Sequence, residues 1–134
     1  MSSRIDTGLI IEVEQLIAKY CHILDARAWD RLPEVFIDEI VVDAGPQLGV
    51  HVGIHDVIAF WRVHPHPDVH HAVNTLVTED RDGSIRAHSK GLFARADLLT
   101  GGDYHDVIVR TGHGLRFSRR AYMPRWAHAA SSSA

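Results

Sequence analysis

One cysteine, no apolar stretch of membrane-spanning length and no surplus of positive charge: these are the shortages of this 134-residue chain, and each excludes something. Cys21 alone forms neither an internal disulfide nor a cysteine-rich metal site, and an unpaired cysteine on an apolar helix is usually core filler. The opening Met1–Asp6 has no basic stretch feeding an apolar run, so no secretory signal is expected. No membrane partner is expected either, because no uninterrupted apolar segment suffices to cross a bilayer; a cytoplasmic protein is the expectation. Lys and Arg number 14 against 17 Asp and Glu, a net charge of −3 with neutral histidines, which leaves no excess to neutralise phosphates. Arg110, Arg116, Arg119, Arg120 and Arg125 are interleaved with Phe117, Tyr122 and Trp126, but they fall on both strand parities rather than in one stripe. Nucleic acid is therefore not an expected partner, although one of these arginines remains available to an anionic substrate.

What is present describes a globular protein. Hydrophobic residues make up 46% and charged residues 23%, and the length fits one domain, residues 1–134, with a core over about 7–123 and a loosely held tail at 124–134. Leu9, Val13, Leu16, Ile17, Tyr20 and Leu24 recur at helical spacing, predicting a helix over 7–27 capped by Thr7. A short second helix is expected from Arg31 to about Phe36, strands at 39–44 and 49–53, and a third helix over Ile54–Val63 after Gly53. Pro65 and Pro67 force an extended connection. Strands then follow at 70–79, 84–97, 104–111 and 115–122, with a loop at 98–103 and a hairpin signal at Gly112-His113-Gly114. Helices first and strands last is an α+β pattern: helices on one face of a curved, antiparallel, meandering sheet.

The chemistry concentrates in His70-His71-Ala72-Val73-Asn74-Thr75-Leu76-Val77. As a strand it places His70, Ala72, Asn74 and Leu76 on one face, and His71, Val73, Thr75 and Val77 on the other. An imidazole and a carboxamide on an inward face need partners, because a buried unpaired polar group costs about 1–3 kcal/mol. Asp25 is the candidate partner. It lies about 40° beyond Cys21 on the helical wheel, at the border of the apolar stripe, near a helix end whose dipole disfavours an anion. Eleven histidines are unusual, and His64, His66, His70 and His71 lie within eight residues. The prolines and the opposite parity of His70 and His71 nevertheless argue against a metal site, and none is expected.

In order and spacing, several segments resemble the SnoaL-like branch of the nuclear transport factor 2-like superfamily. They are Tyr20-Cys21-His22-Ile23-Leu24-Asp25, Trp29-Asp30-Arg31-Leu32 with Phe36, Gly53 leading into Ile58-Ala59-Phe60, His70 to Asn74, and Gly102 to Asp106 running into Arg110 to Arg120. The resemblance covers about residues 9–123. It implies a cone-shaped α+β barrel, its curved sheet wrapped around a long N-terminal helix, with an apolar pocket at one end. Similar enzymes include scytalone dehydratase, lindane dehydrochlorinase, ketosteroid isomerase, limonene epoxide hydrolase and polyketide cyclases, whose common theme is acid/base chemistry without a redox cofactor. In the dehydratase and dehydrochlorinase branch, an aspartate ending the first helix pairs with a histidine four residues before an asparagine, positions held here by Asp25, His70 and Asn74. Tyr20 and Arg120 match further pocket positions. The sequence departs from the pattern at Leu115, where tryptophan is frequent, and in its duplicated histidine, so His71 competes with His70.

These readings assign Asp25 and His70 as a catalytic pair, and Tyr20, Asn74, His88, Arg120, Phe60 and Trp61 as contacts to a small apolar, aromatic or polyketide-like ligand. A carboxylate on one imidazole nitrogen fixes the tautomer and raises the basicity of the other. Tyr20 or Asn74 would donate to a developing oxyanion. The expected activity is that of a lyase, isomerase or cyclase. The alternative is a ligand-binding or dimerising domain of the same fold, with Asp25 and His70 a structural pair. A homodimer is expected through the sheet, with Val107, Val109, Leu115 and Phe117 as its apolar patch.

Overall fold

The computed structural model describes residues 6–129. The first helix, α1 (Thr7–Asp25), is capped by Asp6 rather than Thr7: the Asp6 carboxylate accepts the Gly8 N–H at 2.9 Å. Its buried stripe runs Leu9, Val13, Leu16, Ile17, Tyr20, Cys21, Ile23 and Leu24, the helical period read from the sequence. The expected second helix is a single 3-10 segment, Trp29–Glu34, carrying Pro33, whose missing N–H suits so short a turn. Strands β1 (Phe36–Asp43) and β2 (Val50–Val52) follow, then α2 (Ile54–Val63), entered through Gly53 at φ +88°. Strands β3 (Val69–Glu79), β4 (Ile85–Arg95), β5 (Leu98–Thr111) and β6 (Gly114–Ala129) complete the chain.

The six strands form one sheet in the order β2-β1-β6-β5-β4-β3. Four of the pairings are antiparallel, but β1 runs parallel to β6, so the sheet is mixed where an antiparallel one was expected. Adjacent hairpins build β3 to β6; β1 comes from far upstream and joins the free edge of β6. Two expected irregular stretches are strand. The 98–103 loop belongs to β5, and the supposed tail pairs as far as Leu98↔Ala129. Glycines explain both, because Gly101 and Gly102 leave room on β5 for the Trp126 and Tyr122 rings of β6. Residues 130–134 lie outside the described residues.

The concave face of the sheet is the core. Ile40, Ile85, Ile108 and Phe117 are fully buried there, in one cluster with the apolar stripe of α1 and with Val57 of α2. Leu115 and Phe117 therefore do not belong to an outer patch: both point inward, and only the flanking Val107 and Val109 keep partial exposure.

Bulges set which side chains face in, and they correct the simple alternation assumed for the sequence. In β3 the register passes from Ala72↔Gly91 and Val73↔Lys90 to Leu76↔His88, so Asn74 and Thr75 together oppose Ser89. One residue is extra, and the parity inverts beyond it. His70 and Ala72 face in before the bulge and Val77 after it, while Leu76 is 69% exposed. Asn74 occupies the left-handed region at φ +56° and is exposed. Asparagine is among the few non-glycine residues that tolerate that conformation. A second shift, between Val107 and Ile108, sets Phe117 opposite Ile108 and Arg119 opposite Val107, leaving Ser118 extra in β6. That bulge turns both Phe117 and Arg120 inward despite their odd spacing. Replacing Asn74 with Val should lower stability by about 1–2 kcal/mol, because a β-branched residue resists positive φ. Asn74→Gly should stay within about 0.5 kcal/mol of the parent in urea denaturation.

Candidate active site

Asp25 is the last residue of α1, and His70 stands one residue into β3; the packing of helix on strand brings them together. The His70 Nδ1–H donates to Asp25 Oδ1 at 2.6 Å, and the His70 backbone N–H donates to the same oxygen at 3.0 Å. An ionised carboxylate only accepts, so this contact places the ring proton on Nδ1 and leaves Nε2 with a free lone pair. The His70 side chain is 6% exposed and meets the Phe93 ring edge-on at 5.3 Å. Gly91 makes that wall possible, since a Cβ there would run into the Phe93 and Tyr104 rings. Burial holds His70 below its ordinary pKa, against the opposing pull of the Asp25 hydrogen bond and charge.

His70 lines a cavity of about 160 Å³, walled by Tyr20, Phe60, Trp61, Phe93 and Tyr104 and reaching Arg120. Arg27 braces its mouth. At φ +54°, its guanidinium donates to the carbonyls of Leu24 and Pro67, both at 2.8 Å, and of His66 at 3.3 Å, tying the end of α1 to the His64–Pro67 wall. His66 in turn donates through Nε2 to the Trp61 carbonyl at 2.9 Å, and burial pushes its pKa down to about 4. At the inner end, Arg120 is 1% exposed, its guanidinium 3.7 Å from the centre of the Tyr104 ring and 4.2 Å from that of Tyr20.

Residues 9–121 match the SnoaL-like domain family. The chain belongs to that family, within the nuclear transport factor 2-like superfamily. Solved structures share the fold of this SnoaL-like domain at low identity. A putative scytalone dehydratase from Novosphingobium aromaticivorans is 18% identical over 95% of this chain and 91% of its own, with a TM-score of 0.79. ActVI-ORFA from Streptomyces coelicolor is 24% identical over 88% and 98%, at 0.75. A type 2 hexachlorocyclohexane dehydrochlorinase, LinA, is 12% identical over 94% and 91%, at 0.79. No curated protein matches the sequence.

Of the residues singled out from the sequence, the SnoaL-like fold gathers Asp25, His70, Tyr20, Phe60, Trp61 and Arg120 at the cavity. Asn74 and His88 lie elsewhere. Asn74 is turned to the surface by the bulge. His88 sits on the outer face of β4, its ring stacked on His105 at 4.3 Å. His71 is also on the outer face, so parity before the bulge selects His70 as the inward imidazole. His64 and His66 join the cavity wall beside His70, while His71 faces away from it. Among the described residues, His88, Asp103 and His105 do approach one another. Asp103, however, already holds Lys90 at 2.6 Å and Arg125, two cations that a metal ion would have to displace. Among the described residues, no helix is long and apolar enough to cross a membrane.

Sequence reasoning missed Phe93, Tyr104, Tyr122 and Asp106. Period-two alternation through Tyr104, Asp106 and Ile108 was the available signal: a lone carboxylate in an otherwise inward-facing row.

These burials carry a pH signature. His66 and His70 are both held below about 6.5, so the unfolded chain binds more protons than the folded one, and stability falls as pH drops from about 6.5 toward 4. Asp106 acts in the opposite sense. Burial raises it from 3.8 to about 6, so its contribution is present in acid and lost as pH rises through that window. On lowering the pH from 7.5 to 5, the urea midpoint should fall further in the parent than in His66→Gln. An unchanged difference in the variant would remove His66 from this account.

Proposed function

We propose that the protein is a cofactor-independent lyase, isomerase or cyclase acting on a small apolar or aromatic compound, with His70 as general base and Asp25 orienting it. The reading is carried by one observation: an imidazole bonded at 2.6 Å to a carboxylate within an aromatic-walled cavity. The fold is one that a putative scytalone dehydratase and a hexachlorocyclohexane dehydrochlorinase share.

The Nε2 lone pair takes a proton from a carbon beside a carbonyl, or from one beside a carbon bearing a leaving group. The resulting imidazolium is stabilised by Asp25 without full proton transfer to it. Tyr20 lies on the cavity wall, and burial pushes its pKa up to about 12, so it stays a neutral hydroxyl able to donate to developing negative charge on oxygen. The aromatic wall excludes water and strengthens each of these contacts. Phe60 and Trp61 shape the ring-binding surface, and Arg120 meets the ligand's inner end.

Screening hydroxy-ketones and polyketide-like compounds for dehydration or isomerisation tests the reading. His70→Gln should lower kcat/KM by about 10²–10⁴-fold, the usual worth of a positioned base. Asp25→Asn should lower kcat while ligand binding persists. Activity should rise with pH along a limb whose midpoint lies below the ordinary histidine value, and then level off, because the base works neutral. Ligand binding with no turnover, and no effect of either substitution on any reaction of the bound compound, would leave a binding domain as the better account.

We also propose that the outer face of the sheet pairs two copies of the chain. Val73 of β3, Leu92 of β4 and Trp126 of β6 are each 41–48% exposed there, with Gly101 of β5 between Leu92 and Trp126 in the register. Light scattering after size exclusion should give a dimer mass, and Leu92→Asp should shift it to the monomer.

A further inference from the structure

At the inner end of the cavity, which Arg120 lines, lies a pair of buried charges that proton abstraction by His70 does not use. Asp106 of β5 and Arg120 of β6 are direct cross-strand partners, 3% and 1% exposed. Their nearest approach is Arg120 Nη1 to Asp106 Oδ2 at 3.4 Å, an ion pair without a hydrogen bond. Both Asp106 oxygens and all three guanidinium nitrogens of Arg120 lack a hydrogen-bond partner among the described residues. Buried charges left in this state are costly, and native structures rarely keep them without a use. A carboxylate gripping the guanidinium in two-pronged fashion would leave few donors free; this one leaves them all. The guanidinium carbon lies over the rings of Tyr20, Tyr104 and Phe117, contacts that stabilise its charge and satisfy none of its N–H groups.

Resting on the reading that the cavity binds a ligand beside His70, we propose that Arg120 seats an oxygen anion of that ligand, and that Asp106 is a positioning residue that takes up a proton when the anion docks. In the empty site the guanidinium is countered by the Asp106 carboxylate; in the filled site it is countered by the ligand's anion. One proton moves from solvent to Asp106, so the net charge buried at the site, the ligand included, stays at zero. A second anion added without that proton would leave a buried negative charge uncompensated, which is the expensive outcome. The groups facing the pair are Tyr20 and Cys21 from α1 and Tyr104 from β5, all neutral near pH 7, with His70 of β3 further off. Burial already raises the Asp106 carboxyl to about 6, close to where the exchange would operate. The ligand class is then a one- or two-ring compound bearing a carboxylate, phenolate or enolate: a dry cavity of roughly 150 Å³ takes a benzene ring, and this one is similar in size but open outward.

The test is calorimetry with 2-naphthoate and its neutral isostere 2-naphthamide, from pH 6 to 8, in buffers of different ionisation enthalpy. Naphthoate should bind with uptake of a fraction of a proton near pH 7, and its affinity should fall as pH rises; naphthamide should do neither. Asp106→Asn should abolish the uptake and flatten the pH dependence, while His70→Gln should retain both, which separates Asp106 from the other titratable group near the ligand. Arg120→Gln should weaken naphthoate at least tenfold relative to naphthamide. The carboxyl ¹³C resonance of Asp106 in the unsubstituted protein gives a second readout, independent of whether Asp106→Asn folds: its titration midpoint should move upward when naphthoate is added. Naphthamide binding without naphthoate, or naphthoate binding with no proton uptake and an unmoved Asp106 resonance, would overturn the proposal and leave the cavity reading intact. Failure of both probes to bind at millimolar concentration would overturn the cavity reading and this proposal with it.

Discussion

Everything at the site depends on how α1 seats in the concave face of the sheet. The helix contributes Tyr20 and Asp25 one and a half turns apart, and the sheet contributes His70, Tyr104 and Arg120 from three different strands. None of these side chains finds its partner within its own element. The apolar stripe from Leu9 to Leu24 anchors the helix against Ile85, Ile108 and Phe117, and burial of that area is the dominant favourable term. Its consequence for chemistry is positional: a helix held along its length delivers its last residue, Asp25, to a fixed point beside β3.

That seating isolates two ionisable pairs of different character. Asp25 and His70 share two hydrogen bonds, and Asp25 keeps a side-chain exposure of 32%. Their contact is a well-formed one near the cavity mouth, where partial solvation reduces the cost of the charge. Asp106 and Arg120 are more deeply buried, with no hydrogen bond between them and three aromatic rings against the guanidinium. The first pair fixes a tautomer; the second stores unsatisfied donors. Aromatic walls serve both, since Phe93 and Tyr104 lower the local dielectric and constrain the orientation of the charged groups without competing for their hydrogen bonds.

Bulges give the sheet its second role. A strand of perfect alternation would have presented Asn74 and Leu76 to the interior alongside His70. The extra residue at Asn74–Thr75 inverts the parity, buries Val77 and turns Leu76 outward. The extra residue at Ser118 lets Phe117 and Arg120 face the same way. Curvature and side-chain direction are thus set together, because each bulge bends its strand where it shifts the face.

Much of this was legible in the residues themselves. The period of Leu9 to Leu24 defines α1, Gly53 and the apolar run after it define α2, and the turn residues separate four C-terminal strands. The order of Asp25, His70 and the late arginine, read with the family resemblance, places the polar residues that meet at the cavity. Local signals are enough for these because helix period, turn chemistry and strand alternation are properties of consecutive residues. What only the tertiary structure decided are the matters that depend on pairing between distant segments: the parallel union of β1 with β6, the strand character of 98–103 and 123–129, the exclusion of Asn74 and His88 from the cavity, and the meeting of Asp106 with Arg120. Register is a relation between two strands, and a bulge exists only with respect to its partner. The residues of one strand therefore cannot specify, by themselves, which of their side chains will face the core.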